Sequence, residues 1–255
     1  MPNFANALMK KFKENWFKEW FDSDYYHQLY AHRDYEEAEE FISALMRYLN
    51  IETQCYVLDL ACGKGRHAVH LNELGYNVLG IDLSKESIQE AKKLESKNLE
   101  FRQGDMRELD LDAEVDLVLN LFTSFGYFSS EEEDQKAISS MSDALKKNGL
   151  LVIDYLNIHK VLEKLPTKEL VKRKGVDFNI SKHTEHGFIV KDIEFNANQV
   201  AHHYQEFVKC LDLNDFENYL HHGKFKIKEV FGNYQLEHFN KAHSDRLIII
   251  AQKEG

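Results

Sequence analysis

The first fifty residues carry apolar side chains at helical spacing. Phe12, Trp16 and Trp20 lie four residues apart. The segment 35–49 has one continuous apolar face, made of Ala38, Phe41, Ile42, Leu45, Met46 and Leu49. Apolar residues that recur every three or four positions are typical of amphipathic helices. The pattern therefore predicts a helical region before residue 55, with an aromatic cluster at 25–30 between its two parts.

From residue 55 onward, short apolar runs alternate with amphipathic stretches. The runs predict strands at 56–60, 77–82, 99–103, 115–121 and 150–156. The stretches between them predict helices at 66–74, 85–96 and 131–145. Strands that alternate with helices indicate βαβ crossovers and a parallel sheet with helices on both faces. We therefore expect an α/β fold with a Rossmann-like, doubly wound sheet.

Beyond Pro166 the segments 169–180, 188–196 and 200–211 alternate apolar and polar residues, which predicts an antiparallel meander. A short helix at 214–221 and closing strands at 226–231 and 246–252 complete a mostly parallel, seven-stranded sheet. The predicted organisation is a helical cap at 1–54, a Rossmann-like domain at 55–165 and 213–255, and an inserted β layer at 166–212. Open α/β sheets bind ligands at the carboxyl ends of their strands, so the inserted layer is expected to cap the substrate side.

Composition narrows the range of partners. The 255 residues carry a formal charge of −11, which disfavours nucleic acid, although Lys172, Arg173 and Lys174 offer a local basic strip. Neither a membrane-spanning apolar run nor a secretory leader is evident, so a cytoplasmic location is expected. Three cysteines without paired spacing predict reduced thiols. The sequence indicates no particular oligomeric state.

The first predicted strand leads into a glycine-containing turn. Gly63 and Gly65 lack side chains, so the backbone can approach a ligand closely at the strand end. Asp59, four residues before Gly63, can accept a hydrogen bond from an ammonium group or bound water. Asp82 ends the second strand about twenty residues later, where an acidic side chain can bind ribose hydroxyls.

The third predicted strand is also followed by side chains that can bind a ligand. Asp105 could accept a hydrogen bond from an adenine amine, and Met106 could lie against the ring. Three successive strands thus offer polar groups at their carboxyl ends, which indicates one binding site for a nucleoside-containing cofactor.

These residues resemble the class I S-adenosylmethionine-dependent methyltransferases. Asp59, Ala61, Gly63 and Gly65 match the family's acidic and glycine-rich loop, with Ala61 in place of its first glycine. The segment 120–128 resembles the motif that faces the reactive methyl group in a subgroup of small-molecule and peptide N-methyltransferases. The resemblance implies S-adenosylmethionine as cofactor. The residues expected to contact it are Tyr30, Arg33, Asp59, Ala61, Cys62, Gly63, Gly65, Asp82, Leu83, Asp105, Met106 and Leu121.

In that subgroup an amino-terminal tyrosine and a basic residue close over the cofactor, and Tyr30 and Arg33 match them. Methyl transfer needs an aligned nucleophile more than a dedicated base. If a base is used, the candidates are Tyr26, His159 and His203. The adjacent histidines at 202–203 and 221–222 have no accompanying carboxylate cluster, so no metal site is expected.

Three other functions stay open at this stage. The segment 63–68 also fits the G-x-G-x-x-A loop of NAD(P)-dependent oxidoreductases, with Asp82 as the ribose acid. A scaffold protein with an idle cofactor site is another possibility. A methyltransferase acting on a peptide or tRNA is the third. Transfer of a methyl group to a nitrogen or oxygen of a small molecule is the leading prediction.

Overall fold

The computed structural model describes residues 16–30 and 35–254. Three helices come first: α1 (Trp16–Phe21), α2 (Asp24–Tyr30) and α3 (Tyr35–Leu49). The apolar face of α3 is buried against the central sheet and its neighbouring helix, with Phe41, Ile42 and Leu45 at most 1% exposed. The helical prediction is confirmed for these residues, whereas Phe12 lies outside the described part of the chain.

A seven-stranded sheet forms the centre, in the order β10-β11-β5-β4-β1-β2-β3. Its strands are β1 (Tyr56–Leu60), β2 (Asn77–Asp82), β3 (Leu99–Gln103), β4 (Val115–Asn120), β5 (Leu145–Leu156), β10 (Phe225–Phe231) and β11 (Arg246–Lys253). Strands β1 to β5 pair in parallel, and β10 and β11 pair antiparallel. The Rossmann-like, mostly parallel sheet is confirmed.

Helices connect and cover these strands. They are α4 (Arg66–Glu73), α5 (Lys85–Ala91), α6 (Glu131–Ala144), α7 (Ile158–Leu162) and α8 (Leu213–His222). The helix predicted at 85–96 is too long, because α5 gives way to one 3₁₀ turn (Lys92–Leu94). Glu95 and Ser96 then bond to residues that follow them in the chain. Glu95 accepts a hydrogen bond from the Phe101 amide, and Ser96 pairs with Leu99.

The inserted layer is a four-stranded antiparallel sheet in the order β6-β7-β8-β9. Its strands are β6 (Thr167–Arg173), β7 (Val176–Glu185), β8 (Phe188–Ala197) and β9 (Val200–Lys209). The single strand predicted at 169–180 is wrong. Lys174 and Gly175 have φ values of 44° and 81°, which form a two-residue hairpin turn and reverse the chain there.

The inserted sheet packs against the N-terminal helices. The ring centres of Trp20 on α1 and Tyr204 on β9 are 4.5 Å apart, and those of Tyr25 on α2 and Phe195 on β8 are 4.6 Å apart. These aromatic contacts bring two regions distant in sequence into one hydrophobic cluster. Within the described residues, every helix is too short or too polar to cross a membrane.

Candidate active site

A cavity of about 650 Å³ lies at the carboxyl ends of β1 to β4. This volume is within the range of about 300–1,000 Å³ that small-molecule sites usually have. One wall comes from the strand ends, and the opposite wall comes from α1, α2 and the loop after β4. The predicted cofactor residues that line it are Tyr30, Asp59, Ala61, Cys62, Gly63, Asp82, Leu83, Asp105, Met106 and Leu121.

Asp82 fastens the glycine loop to the second strand. Its Oδ2 accepts from the Gly63 amide and its Oδ1 from the Ser84 amide, both at 2.8 Å. Burial raises the pKa of Asp82, and these backbone hydrogen bonds oppose the rise. Each carboxylate oxygen keeps a further lone pair. Asp82 can therefore order the loop and still accept from hydroxyl groups in the cavity.

Ala61 occupies a left-handed backbone position, with φ of 64°. A side chain in this region costs about 1–2 kcal/mol, which explains why the related loops usually have glycine there. The amides of Ala61 and Cys62 both donate to the Ile81 carbonyl, at 2.7 and 3.1 Å. The loop is thus held to β2 by its backbone despite the alanine.

Asp59 is a buried carboxylate with an unused oxygen. The residue is 2% exposed, and its Oδ2 has no hydrogen-bond partner. Burial and, to a smaller extent, the nearby charge of Asp82 raise the pKa of Asp59 to about 7, although Arg66 and the Ala68 backbone oppose this rise. Burying an unpaired carboxylate is costly unless a donor or a cation joins it. The environment of Asp59 therefore fits the ammonium group of an amino-acid moiety.

The two glycines of the loop have different surroundings. A Cβ atom added to Gly63 would meet nothing within 4 Å, because it would point into open space at the cavity. A Cβ added to Gly65 would lie 2.5 Å from Phe101 Cζ and 3.3 Å from Ala91 Cβ. Gly65 does not line the cavity. It instead allows α4 to begin close to β3 and α5.

The glycines should therefore separate in experiment. Gly65→Ala is expected to lower the free energy of unfolding by about 2–4 kcal/mol, from overpacking and left-handed strain together. Gly63→Ala should cost about 1–2 kcal/mol of stability but weaken S-adenosylmethionine binding at least about tenfold, because its methyl group enters the ligand space. Urea unfolding and calorimetric titration measure the two effects. A larger loss of stability in Gly63→Ala, together with a larger loss of affinity in Gly65→Ala, would contradict the placement of Gly63 at the cavity and of Gly65 against Phe101.

The corner after β3 contains an ion pair that sequence reasoning missed. Arg107 binds Asp105, with Nη2 2.6 Å from Oδ2, and reaches Glu133 Oε1 at 2.5 Å. Its guanidinium also lies 4.6 Å from the centre of the Phe128 ring. Burial raises the pKa of Asp105, but the Arg107 contacts outweigh this and lower it. An adenine amine would thus share an Asp105 oxygen with Arg107.

A buried ion pair between Asp154 and Arg246 stabilises the loop after β4. Phe122 and Thr123 have φ values of 56° and 60°, a strained conformation for non-glycine residues. The Phe122 amide donates to Asp154 Oδ2 at 2.8 Å. Arg246 donates from Nε to Asp154 Oδ1 at 2.7 Å and from Nη2 to Thr123 Oγ1 at 2.9 Å. This network explains how the strained loop is kept in place.

Aromatic rings form the wall opposite the strand ends. Phe21 lies 5.0 Å from Tyr26 and 5.4 Å from Tyr127, measured between ring centres. Phe17 and Phe128 continue the same wall, 6.0 Å apart. Such rings exclude water and present negative π faces that attract cations.

Of the three predicted catalytic candidates, one lines the cavity and two do not. Tyr26 lines the cavity. His159 lies instead 3.4 Å from Asp212 Oδ2, and His203 lies 3.2 Å from Asp192 Oδ1 on the inserted sheet. Neither histidine is among the residues that line the cavity. Arg33 falls outside the described residues.

Several lining residues were not anticipated. They are Phe17, His27, Gln28, Arg66, His67 and Lys174, with others from the same elements. Burial lowers the pKa of His27, and the charge of Lys64 lowers it further. The helical spacing of three residues between His27 and Tyr30 could have identified His27. Only the fold brings Lys174 of the β6–β7 turn to the cavity. In the described ranges, no three His, Cys, Asp or Glu side chains are grouped for a metal ion.

Comparisons with known proteins identify the family of this chain. Residues 51–206 match the family model described as a methyltransferase domain. The chain is 31% identical over 134 residues to dTDP-3-amino-3,4,6-trideoxy-alpha-D-glucopyranose N,N-dimethyltransferase from Streptomyces venezuelae, covering 52% of this chain and 56% of that protein. It is 34% identical over 112 residues to glycine/sarcosine N-methyltransferase from Parasynechococcus marenigrum, covering 42% of this chain and 40% of that protein. The chain thus spans only about half the length of these curated relatives.

A solved structure extends the likeness to the whole fold. An S-adenosylmethionine-dependent methyltransferase from Clostridium acetobutylicum has a TM-score of 0.75, with 21% identity and coverage of 99% of this chain and 100% of that one. The chain belongs to the methyltransferase domain family. The resemblance to class I methyltransferases and the cofactor S-adenosylmethionine are thereby confirmed. The oxidoreductase and scaffold alternatives gain no support.

Proposed function

We propose that this protein transfers a methyl group from S-adenosylmethionine to an amine nitrogen of a small molecule. The observation that carries the proposal is a cavity of about 650 Å³ in which the Asp59 and Asp82 loop and an aromatic wall line the same space. The two relatives named above act, by their names, on an amino sugar and on glycine or sarcosine, and both are N-methyltransferases. An amine acceptor is therefore favoured over a hydroxyl acceptor.

The cofactor residues follow from the groups available in the cavity. We assign Asp59 to the amino group of the methionine moiety and Asp82 to the ribose hydroxyls. Asp105 and Met106 face the adenine, and Ala61, Cys62, Leu83 and Leu121 supply the surrounding surface. Tyr30 and Arg33 are assigned to the methionine end, as the family resemblance implies. When bound, the cofactor supplies a methyl group already activated by a positively charged sulfur.

The aromatic wall suits the chemistry of an amine acceptor. An amine would attack as its neutral form. As the new carbon–nitrogen bond forms, the carbon–sulfur bond of the donor would break with its electron pair left on sulfur, and the acceptor would become a cation that later releases a proton to solvent. Phe21, Tyr26 and Tyr127 can stabilise that cation through their ring faces and exclude competing water. Tyr26 is the predicted catalytic candidate that lines this wall, so we assign it to orienting the acceptor.

The inserted sheet is proposed as the substrate-side cap. The proposed division of the chain is a helical cap at 1–54, a Rossmann-like domain at 55–165 and 213–255, and the inserted layer at 166–212. Its β6–β7 turn is fastened to α2, because Gln28 Nε2 donates to the Arg173 carbonyl at 2.6 Å and the Lys174 carbonyl at 3.3 Å. Lys174 thereby reaches the cavity rim. Lys172, two residues earlier, pairs with Asp177 at 2.8 Å and does not line the cavity.

Lys174→Gln should raise the KM for an acceptor about two- to fivefold, because one contact at the rim is lost. The affinity for S-adenosylmethionine should stay unchanged. Steady-state kinetics with the acceptor varied, and a calorimetric titration with the cofactor, measure these quantities. Lys172→Gln is the matched control and should alter neither. A loss of cofactor affinity in Lys174→Gln alone would contradict the assignment of this turn to the acceptor.

A methyl-transfer screen tests the proposed function. Each amine in the acceptor panel is paired with the alcohol of the same carbon skeleton, and peptides and tRNA form separate arms. Methylation of amines without methylation of their alcohol partners is expected. Turnover confined to peptides, tRNA or alcohols would overturn the proposal.

A further inference from the structure

Two buried, oppositely charged side chains of the inserted sheet lie behind the cavity wall. Lys191 on β8 and Glu206 on β9 are cross-strand partners, and Lys191 Nζ lies 3.5 Å from Glu206 Oε2. Their side chains are 13% and 14% exposed, and neither lines the cavity. Stability alone is a weak reason for such a pair, because apolar replacements of buried ion pairs are often equally stable.

Glu206 joins the helices α1 and α2 to the inserted sheet. The indole Nε1 of Trp20 on α1 donates to Glu206 Oε1 at 2.7 Å, and the hydroxyl of Tyr30 on α2 donates to the same oxygen at 2.6 Å. Lys191 Nζ also contacts the Tyr30 hydroxyl and lies 4.6 Å from the centre of its ring. One carboxylate oxygen thus fixes the relative positions of α1, α2 and β9.

Tyr30 carries this network into the cavity. It lines the cavity, whereas Trp20, Lys191 and Glu206 do not. Within the described residues, α1 and α2 span six and seven residues. Most helical stability in proteins comes from tertiary packing, so tertiary contacts must determine where Tyr30 lies. Charge-assisted hydrogen bonds to a buried carboxylate are among the strongest contacts available for this purpose.

We propose that Glu206, supported by Lys191, is a positioning residue that holds Tyr30 at the cofactor site. The inserted sheet then has a second role, in cofactor affinity, besides capping the acceptor. This inference rests on the proposed assignment of Tyr30 to the cofactor. It predicts that a residue outside the cavity, on a strand distant in sequence, changes the binding of S-adenosylmethionine.

The test compares two variants in one background. Lys191→Met first removes the cation that would otherwise be buried alone. In that background, Glu206→Gln retains an oxygen that can accept from Tyr30, whereas Glu206→Met has a similar size and no such acceptor. We expect the glutamine variant to bind S-adenosylmethionine within about twofold of the wild type and the methionine variant to bind about fivefold more weakly. Both should melt cooperatively, because neither leaves an unpaired buried charge.

Tyr30→Phe connects the effect to the tyrosine. Alone it should weaken cofactor binding about as much as the Lys191→Met/Glu206→Met variant, and adding it to that variant should cause no further loss. Asp192→Asn, on the opposite face of β8 beside Gln205 and His203, is the control and should bind normally. Equal affinity of the glutamine and methionine variants, or normal affinity of Tyr30→Phe, would overturn the inference. A wild-type protein that does not bind S-adenosylmethionine would instead refute the proposed function.

Discussion

Asp59→Asn is expected to weaken S-adenosylmethionine binding by about 10- to 100-fold, the cost of losing a hydrogen bond between charged groups. The loss follows from the unpartnered Oδ2 of Asp59, which is the oxygen assigned to the cofactor's ammonium group. Asparagine keeps the size of the side chain but removes its charge. Calorimetric titration at pH 8 measures the change. Asp112→Asn makes the same substitution at an exposed residue in the loop before β4 and serves as the control.

The same residue should make cofactor binding depend on pH. The pKa of Asp59 lies at about 7 instead of 3.8, so the unliganded carboxyl is protonated below about pH 7. Because the ammonium group binds the ionised form, affinity should fall toward tenfold per pH unit below that value. Asp59→Asn should lack this dependence between pH 5 and 7. A wild-type affinity that stays constant over this range would contradict the assignment.

Unliganded stability should change in the opposite direction. A carboxyl whose folded-state pKa is raised stabilises the fold at low pH, and this contribution is lost as the pH rises from about 4 to about 7. Asp59→Asn removes the cost of the buried charge. Its melting temperature without cofactor should therefore exceed that of the wild type at pH 8, and the difference should shrink toward pH 4.

Arg246→Met is expected to lower the free energy of unfolding by about 3–5 kcal/mol, because it breaks a buried ion pair and leaves Asp154 charged. Asp154 is 0% exposed, and the Arg246 side chain is 18% exposed. The loop at 121–128 should loosen with it, since Arg246 also donates to Thr123 Oγ1. Urea unfolding measures the stability, and kinetics should show a lower kcat from the misplaced cavity wall.

A second substitution tests the cause of that loss. Asp154→Asn added to Arg246→Met neutralises the carboxylate and retains an oxygen that can accept from the Phe122 amide. The double variant should recover roughly half of the lost stability. If it is as unstable as Arg246→Met alone, the unpaired charge of Asp154 is not the cause.

The strand-end wall of the cavity could be predicted from sequence because its residues follow one rule. Asp59, Asp82 and Asp105 each lie within two residues of the carboxyl end of a parallel strand, and strand ends of this kind meet at one edge of the sheet. Local spacing was sufficient to group them. Gly65 shows the limit of that reasoning, because only the packing of Phe101 and Ala91 distinguishes it from Gly63.

The contacts that join the inserted sheet to the cavity could not be predicted, because they are made between segments that are distant in sequence. Lys174 reaches the cavity through a hairpin turn fastened to Gln28, 146 positions away in the chain. Glu206 binds Tyr30 across 176 positions. Neither contact leaves a periodic signal in the sequence. The Lys-Gly pair at 174–175 did offer a turn signal, and giving it weight would have divided the strand predicted at 169–180 correctly.

The most direct test of the account follows an isotope-labelled methyl group from S-adenosylmethionine to the product formed from an acceptor that carries both an amine and a hydroxyl. Nuclear magnetic resonance of that product distinguishes a methyl group on nitrogen from one on oxygen. We expect the label on nitrogen, and we expect Asp59→Asn to form the same product with a raised KM for the cofactor. Label found on oxygen would contradict the proposed transfer to an amine.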